Sequence, residues 1–436
     1  MGEALRQKPM LSRRDFLKVS AASALLATLD WDKVVKAAAE TIQKGKYNIV
    51  WVEFQSCMGD TGALLLGTDP DVIQVLAGHF HVVGPGAVAL PFQPAVMPEW
   101  GEGALDILKA AAKGELDPFV LVLEGSVAAD EKAGGPKGSD LWCYVGEEGG
   151  RLISALEWMR RLLPRAAALV AVGTCAAYGG IRANQILDPD FFKKYGFDLF
   201  EKFPGGWSKS PTSTVGVFDN PRGFKGLLHL LPEAEPFRKF ADGEPCTLFK
   251  DCKPVIAVPG CPANGDATLK TLAHVVLALE GLLPLTRDQF DEYGRPKFLF
   301  GETTHNQCPR AGHYAAGRWR KYPGEGTEYC LWGVGCKGPV SHCPWNRLGW
   351  VNGVGGCTRQ GSVCMGCHEP GFTDSYEPFF QKLPYVFASD EALRAALAGI
   401  VAGAAAVGAA GAVAAFAKAR RAGKSEEKAS EGGGDG

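Results

Sequence analysis

The chain has 436 residues, 46% of them apolar, with a formal net charge of −2. That length supports a large buried core and suits two domains with appendages. Lys and Arg are dispersed and balanced by Asp and Glu, which speaks against a nucleic-acid surface. Thirteen cysteines, an odd count in a long chain, argue against a pure disulfide framework.

Residues 1–46 read as a signal and linker. Ser12-Arg13-Arg14-Asp15-Phe16-Leu17-Lys18 precedes an apolar stretch from Val19 to Leu29. A paired Arg before a modest apolar segment predicts twin-arginine export, with Ala37-Ala38-Ala39 as a weak cleavage site. The plainer reading is a basic amphipathic helix. Export by this route carries folded, cofactor-loaded proteins.

From 47 to 285, short apolar runs alternate with helical periods. Ile49–Phe54, Phe119–Leu123, Ala168–Val172 and Val255–Val258 are continuous apolar runs, the pattern of parallel strands buried on both faces. Leu152, Leu156, Met159 and Leu163 share one helical face. Leu269, Leu272, Val276 and Leu283 do the same after Asp266 as N-cap. These elements predict an α/β, flavodoxin-like, doubly wound domain. Three of the runs lead to a cysteine: Cys57, Cys175 and Cys261. Ligands of open α/β sheets sit beyond the carboxyl ends of the strands, so these thiols are expected to converge on a sheet-assembled metal site. Glu124, at a strand end, is expected to line the same crevice or to make a loop hydrogen bond. Residues 181–253, rich in Pro, Gly and aromatics, read as an insertion. Within it Cys246 and Cys252 are either a disulfide or two buried thiols.

Residues 286–388 lose the regular period and read as an irregular metal-cluster domain. His305, Cys308, Cys330, Cys336, Cys343, Cys357, Cys364 and Cys367 fall within 63 residues. Thiolates and an imidazole at this density are ligands for soft metals, and eight of them make two sets of four. Such clusters substitute for a large apolar core. Zinc is the competing reading. Cys364 and Cys367 alone would fit a zinc ribbon, but the remaining spacings do not make paired CxxC knuckles. Trp319, Trp332, Trp345 and Trp350 are expected to pack against cluster surfaces, and His79, His81, His229 and His274 to be structural.

Residues 389–436 read as an anchor and tail. Ala395 to Ala417 is 23 residues without a charge, long enough to span a bilayer as a helix, although its Ala and Gly content also suits a buried or interfacial helix. Lys418, Arg420, Arg421 and Lys424 follow and place the C-terminus in the cytoplasm by the positive-inside tendency. The globular part is then extracytoplasmic, as the export signal independently predicts. The tail from Ser425 is polar and Gly-rich, the composition of a disordered segment.

Five segments together resemble the small, electron-transferring subunit of membrane-bound nickel–iron hydrogenases. They are Val172-Gly173-Thr174-Cys175-Ala176, Pro259-Gly260-Cys261-Pro262, His305-x-x-Cys308-Pro309-Arg310, Cys330-Leu331 with Gly335-Cys336-Lys337-Gly338-Pro339, and Cys364-x-Gly366-Cys367 before Gly371-Phe372. The resemblance implies three iron–sulfur clusters in line. Cys57, Cys175 and Cys261 would hold the proximal cluster, which faces a partner. Cys343, Cys364 and Cys367 would hold the medial one, and His305, Cys308, Cys330 and Cys336 the distal 4Fe–4S cluster. A neutral imidazole in place of a thiolate raises the potential of the outermost cluster.

Two departures follow. The family usually has a second proximal cysteine three positions after the first, and here Asp60 stands there. Asp60 is therefore inferred as the fourth ligand of a proximal 4Fe–4S cluster. The alternatives are an outer Asp60 with Cys143 recruited, or an open iron site. A six-cysteine proximal cluster is excluded by non-Cys residues such as Gly180. The second departure is Cys357, where many members have proline and a three-iron medial cluster; with Cys343, Cys364 and Cys367 it predicts a 4Fe–4S medial cluster.

A nickel–iron centre needs two separated CxxC pairs, and this chain has one, already used. No nickel is expected here, and the catalytic metal must sit in an obligate large subunit. The expected role is to relay electrons from H2 oxidation to a membrane cytochrome or quinone-linked acceptor. The alternative is an autonomous multi-cluster electron carrier.

Overall fold

A computed structural model describes residues 47–68, 71–72, 90–130, 138–184, 213–221, 225–279, 281–325, 328–373 and 379–380. The chain divides into two compact units, 1–382 and 383–436. The second, with the expected anchor, lies outside the described residues, as do the expected export signal, His79 and His81. Among the described residues no helix is long and apolar enough to cross a membrane.

The frame is a parallel sheet of β1 (Asn48–Glu53), β2 (Phe119–Glu124), β3 (Ala168–Val172) and β4 (Val255–Val258), hydrogen-bonded in that order. Each pair is parallel, in the registers Val50 to Leu121, Leu121 to Leu169 and Val170 to Ile256. On the outer side of β1 the Trp51 N–H donates to the Phe92 carbonyl over 2.8 Å, and Val50 and Phe92 form a parallel bridge. With that segment counted, the chain order across the sheet is 2-1-3-4-5, the flavodoxin-type order. Every residue of β2, β3 and β4 is buried, which explains the unbroken apolar runs.

Helices alternate with the strands. α1 (Gly59–Leu64) follows β1, α2 (Gly101–Lys113) precedes β2, α3 (Ala155–Leu162) precedes β3, α4 (Gly173–Tyr178) follows β3, and α5 (Gly265–Leu279) follows β4. Two local expectations need correction. Leu152 belongs to a short hairpin strand, Arg151–Ser154, and is exposed; the tight Gly149-Gly150 turn ends the preceding strand, and α3 starts only after Ser154, whose side chain caps it. Asp266 lies inside the first turn of α5, where it accepts the Thr68 N–H. The capping role falls to Asn264, whose Oδ1 accepts from the Ala267 N–H at 2.9 Å. Leu283 lies past the end of α5, which is buried almost all round.

The described part of the 181–253 segment is no loose appendage. Val215, Val217, Phe218, Leu227, Leu231, Phe237 and Phe240 join the main core. Cys246 and Cys252 form a disulfide. Beyond Phe300 the apolar core shrinks to Leu331, Val334, Cys336, Val363 and Cys364, a cluster in which two of five members are thiols.

Candidate metal centres

Three strand ends supply the first set of thiols. β1 leads through Gln55 and Ser56 to Cys57, β3 runs directly into α4 with Cys175 as its third residue, and β4 ends in Pro259-Gly260-Cys261. Cys175 feels, after the burial that pushes it up to about 12, the charges of Cys261, Asp60 and Cys57. Partial desolvation of its sulfur, then Asp60 and Cys57, push the otherwise exposed Cys261 up to about 11. Asp60 sits in the first turn of α1 and accepts the Ala263 N–H on Oδ1 at 2.6 Å, tying that helix to the Cys261 loop. Burial first, then Glu124, raise its carboxyl to about 7, while the Ala263 N–H opposes the shift.

Gly173 makes this approach possible. Its φ is +86°, and a Cβ there would lie 2.0 Å from Asp60 Oδ2. A Cβ on Gly180 would lie 2.5 Å from Cys175 Sγ. Cys143 is partly buried and responds to burial and to Arg182, not to the other thiols. Asp60, rather than Cys143, is therefore the group brought beside the three thiols. Glu124 lies behind them, fully buried, and accepts from Trp51 Nε1 (3.1 Å), Ser56 Oγ (3.0 Å) and Thr61 Oγ1 (2.5 Å). Thr61 Oγ1 also lies 2.8 Å from Glu53, whose carboxyl is raised by burial and then by Glu124. Glu53, Thr61 and Gln93 are not legible in sequence as one network, because only the packing of α1 on β1 and β2 joins them.

The second set gathers within the irregular region. His305, Cys308, Cys330 and Cys336 line one small cavity with Arg310, Trp332 and Pro339. His305 packs edge-on against Tyr314, with ring centres 4.6 Å apart. Three backbone N–H groups aim at these sulfurs, each from two residues on: Arg310 to Cys308, Trp332 to Cys330 and Gly338 to Cys336, all at 3.4 Å.

Between the two sets lie Cys343, Cys357, Cys364 and Cys367. Cys343 is raised first by burial and then by Cys367, Cys364 and Cys357. Cys343 Sγ accepts the Trp345 N–H at 3.5 Å. The middle set touches both neighbours. The Cys364 N–H donates to Cys336 Sγ at 3.3 Å, and Cys261 lies close enough to act on the Cys367 thiol. Thr174 Oγ1 donates to the Cys367 carbonyl at 2.5 Å and accepts the Gly260 N–H at 3.0 Å, a second link from the sheet-end set.

The chemistry of these groups fits iron–sulfur clusters. Buried thiolates are costly without compensating charge, and here burial raises the thiols that converge. N–H groups directed at sulfur stabilise thiolates bound to iron. Among the described residues no group of His, Cys, Asp or Glu closes on a single metal ion.

Two buried residues near the sulfurs carry no functional signal in the sequence beyond adjacency to a cysteine. Lys337 is fully buried, its N–H donates to the Cys364 carbonyl at 2.7 Å, and Cys336 and Cys364 both act on its charge. His368 has Nδ1 3.3 Å from Cys367 Sγ and Nε2 3.7 Å from Cys343 Sγ, and burial pushes its imidazole down to about 3. Trp332 lines the cavity with the distal four, and the Trp345 ring lies edge-on to His368; His229 pairs with Asp219 while His274 meets the Pro284 carbonyl.

Residues 300–380 match the C-terminal family of the NiFe/NiFeSe hydrogenase small subunit, and residues 57–275 match the family of the 20 kDa NADH ubiquinone oxidoreductase subunit. The F420 non-reducing hydrogenase II small subunit of Methanosarcina mazei is 31% identical over 95% of this chain and 94% of its own. The quinone-reactive Ni/Fe-hydrogenase small chain of Wolinella succinogenes is 25% identical over 85% of this chain and 83% of its own. Among solved structures, the actinobacterial-type NiFe-hydrogenase of Ralstonia eutropha H16 superposes with a TM-score of 0.60 at 30% identity, covering 83% of this chain and 91% of that one.

Proposed function

The chain belongs to the NiFe hydrogenase small-subunit family, and from that premise we propose which of its residues carry the electrons. It is the electron-relaying subunit of an oxidoreductase whose nickel–iron site lies in a large subunit. Electrons from H2 oxidation enter at a proximal 4Fe–4S cluster held by Cys57, Asp60, Cys175 and Cys261. They pass to a medial 4Fe–4S cluster on Cys343, Cys357, Cys364 and Cys367, and leave from a distal 4Fe–4S cluster on His305, Cys308, Cys330 and Cys336. The observation that supports this reading is the pair of contacts between sets: Thr174, next to Cys175, donates to the Cys367 carbonyl, and the Cys364 N–H donates to Cys336 Sγ. Cys57 and Cys261 are exposed, as are Met58 at the start of α1 and Leu65 and Leu66 just past its end, which suits an obligate interface with the large subunit.

The remaining parts of the reading are export, anchoring and acceptor. The twin-arginine segment and the Cys246–Cys252 disulfide both suit a globular part outside the cytoplasm. The uncharged stretch Ala395–Ala417 suits a membrane anchor with a cytoplasmic C-terminus. A quinone- or cytochrome-linked acceptor follows from that placement, and the Wolinella relative is itself named quinone-reactive. Metal analysis and EPR of the native heterodimer test the ligand assignment. Asp60→Ala should alter the proximal signal alone; an unchanged signal refutes Asp60 as ligand. A three-iron signal in intact, as-isolated heterodimer refutes the four-cysteine medial cluster.

A further inference from the structure

His368 is placed where a residue with no role would not be. It is 1% exposed, and its ring lies edge-on to Trp345 (5.3 Å between centres, 88°) and tilted to Phe300 (6.0 Å, 47°). Its carbonyl accepts from Arg295 Nη1 at 3.3 Å, and the next residue, Glu369, accepts from Arg295 at 2.9 Å. Backbone and ring are thus held from three sides. Both ring nitrogens face sulfur, Nδ1 toward Cys367 at 3.3 Å and Nε2 toward Cys343 at 3.7 Å.

A neutral imidazole has one N–H to give. The shorter contact places it on Nδ1. Cys343 already has the Trp345 N–H, so the proton is not needed on Nε2. Hydrogen bonds to cluster sulfurs favour the reduced, more negative state and so raise the potential. Every other N–H to sulfur contact described above comes from the backbone and cannot be altered without moving the chain. His368 is the side chain that can be.

We propose that His368 is a positioning residue for electron transfer, donating its Nδ1–H to Cys367 Sγ and thereby raising the medial cluster potential. A medial cluster completed by Cys357 carries a fourth thiolate, which lowers its potential, and His368 offsets that lowering without adding a ligand. The inference rests on the medial assignment made above.

The test is a potentiometric EPR titration of the native heterodimer carrying His368→Leu or His368→Asn. Leu removes the donor. Asn returns an N–H close to the position of Nδ1. The Leu variant should shift the medial oxidised-to-reduced balance toward oxidised by roughly tenfold at a fixed potential, about 59 mV for a one-electron couple. The Asn variant should recover most of that shift, and proximal and distal midpoints should stay in place. An unchanged midpoint in the Leu variant overturns the proposal, as does an Asn variant shifted as far as Leu, which would assign the effect to packing.

If the Leu variant sheds its cluster, wild-type heterodimer labelled with 15N-histidine gives the answer. A weak histidine coupling on the reduced medial signal, lost in the Asn variant, supports the hydrogen bond. No coupling, or one as strong as that of an iron-bound imidazole, overturns it. Failure of the medial assignment looks different: Cys343→Ala would then leave all cluster signals intact.

Discussion

The sheet-end site and the loop-built sites hold the same kind of group by opposite means. Cys57, Cys175 and Cys261 sit on strand ends backed by a continuous apolar core, with Trp51, Leu121 and Val170 all fully buried beneath them. The other eight proposed ligands hang on turns, short helices and a five-member apolar cluster that includes two of them. In the first region, geometry is set in advance by burial of the sheet. In the second, the clusters proposed there would be part of what holds the chain together. Iron removal should therefore separate the regions more than any substitution. In iron-depleted heterodimer, amides of β1 to β4 should keep their hydrogen-exchange protection, while those from Thr304 to His368 lose most of theirs. Equal loss in both regions would erase the distinction.

A smaller effect probes the sheet side alone. Glu124 accepts from Trp51, Ser56 and Thr61 in full burial, so Glu124→Ala strands several donors without water. The cost should be roughly 3 kcal/mol, as each stranded buried donor costs about 1–3 kcal/mol before local relaxation. Glu124→Gln, which keeps acceptor oxygen in place, should cost less. Denaturant midpoints read at sheet amides measure both. If Ala and Gln behave alike, the network contributes packing rather than hydrogen bonds. Distal EPR signals should not change in either variant.

The same contrast explains what can be read from the residues. Ala168–Val172 and Val255–Val258 are legible to the residue, because burial on both faces leaves an unbroken apolar run. Leu152 is easily misplaced, because one apolar residue fits a helix period and a hairpin strand equally well until the Gly149-Gly150 turn is seen. Asn264 and Asp266 are both good cap residues two positions apart, and only the Thr68 contact decides between them. In the loop region, cysteine density announces metal ligands, but not what surrounds them. Lys337 and His368 owe their roles to chain segments crossing from elsewhere, Cys364 onto Lys337 and Cys343 with Arg295 onto His368, and no local pattern encodes a crossing. The pairing of Cys246 with Cys252 likewise depends on how the chain between them turns, which spacing alone does not fix.

The smallest effect expected is a pH slope confined to the sheet side. His274, on α5, is 3% exposed, with Nε2 3.0 Å from the Pro284 carbonyl and its ring edge-on to Phe298. Burial lowers its pKa from 6.5, and the carbonyl only partly opposes that. Above 6.5 the ring is neutral folded and unfolded, so it contributes no slope. As pH falls below 6.5 the unfolded chain takes up the proton and the folded chain does not, so stability declines until the folded pKa is reached. The slope cannot exceed about 1.4 kcal/mol per pH unit. Acid also attacks the loop region, by protonating thiolates and releasing iron, and that loss should not depend on His274. His274→Gln should therefore flatten the decline at α5 amides between pH 6.5 and 5 while leaving the pH of iron release unchanged. If both shift together, the two regions unfold as one, and the sheet does not stand independently of the clusters it faces.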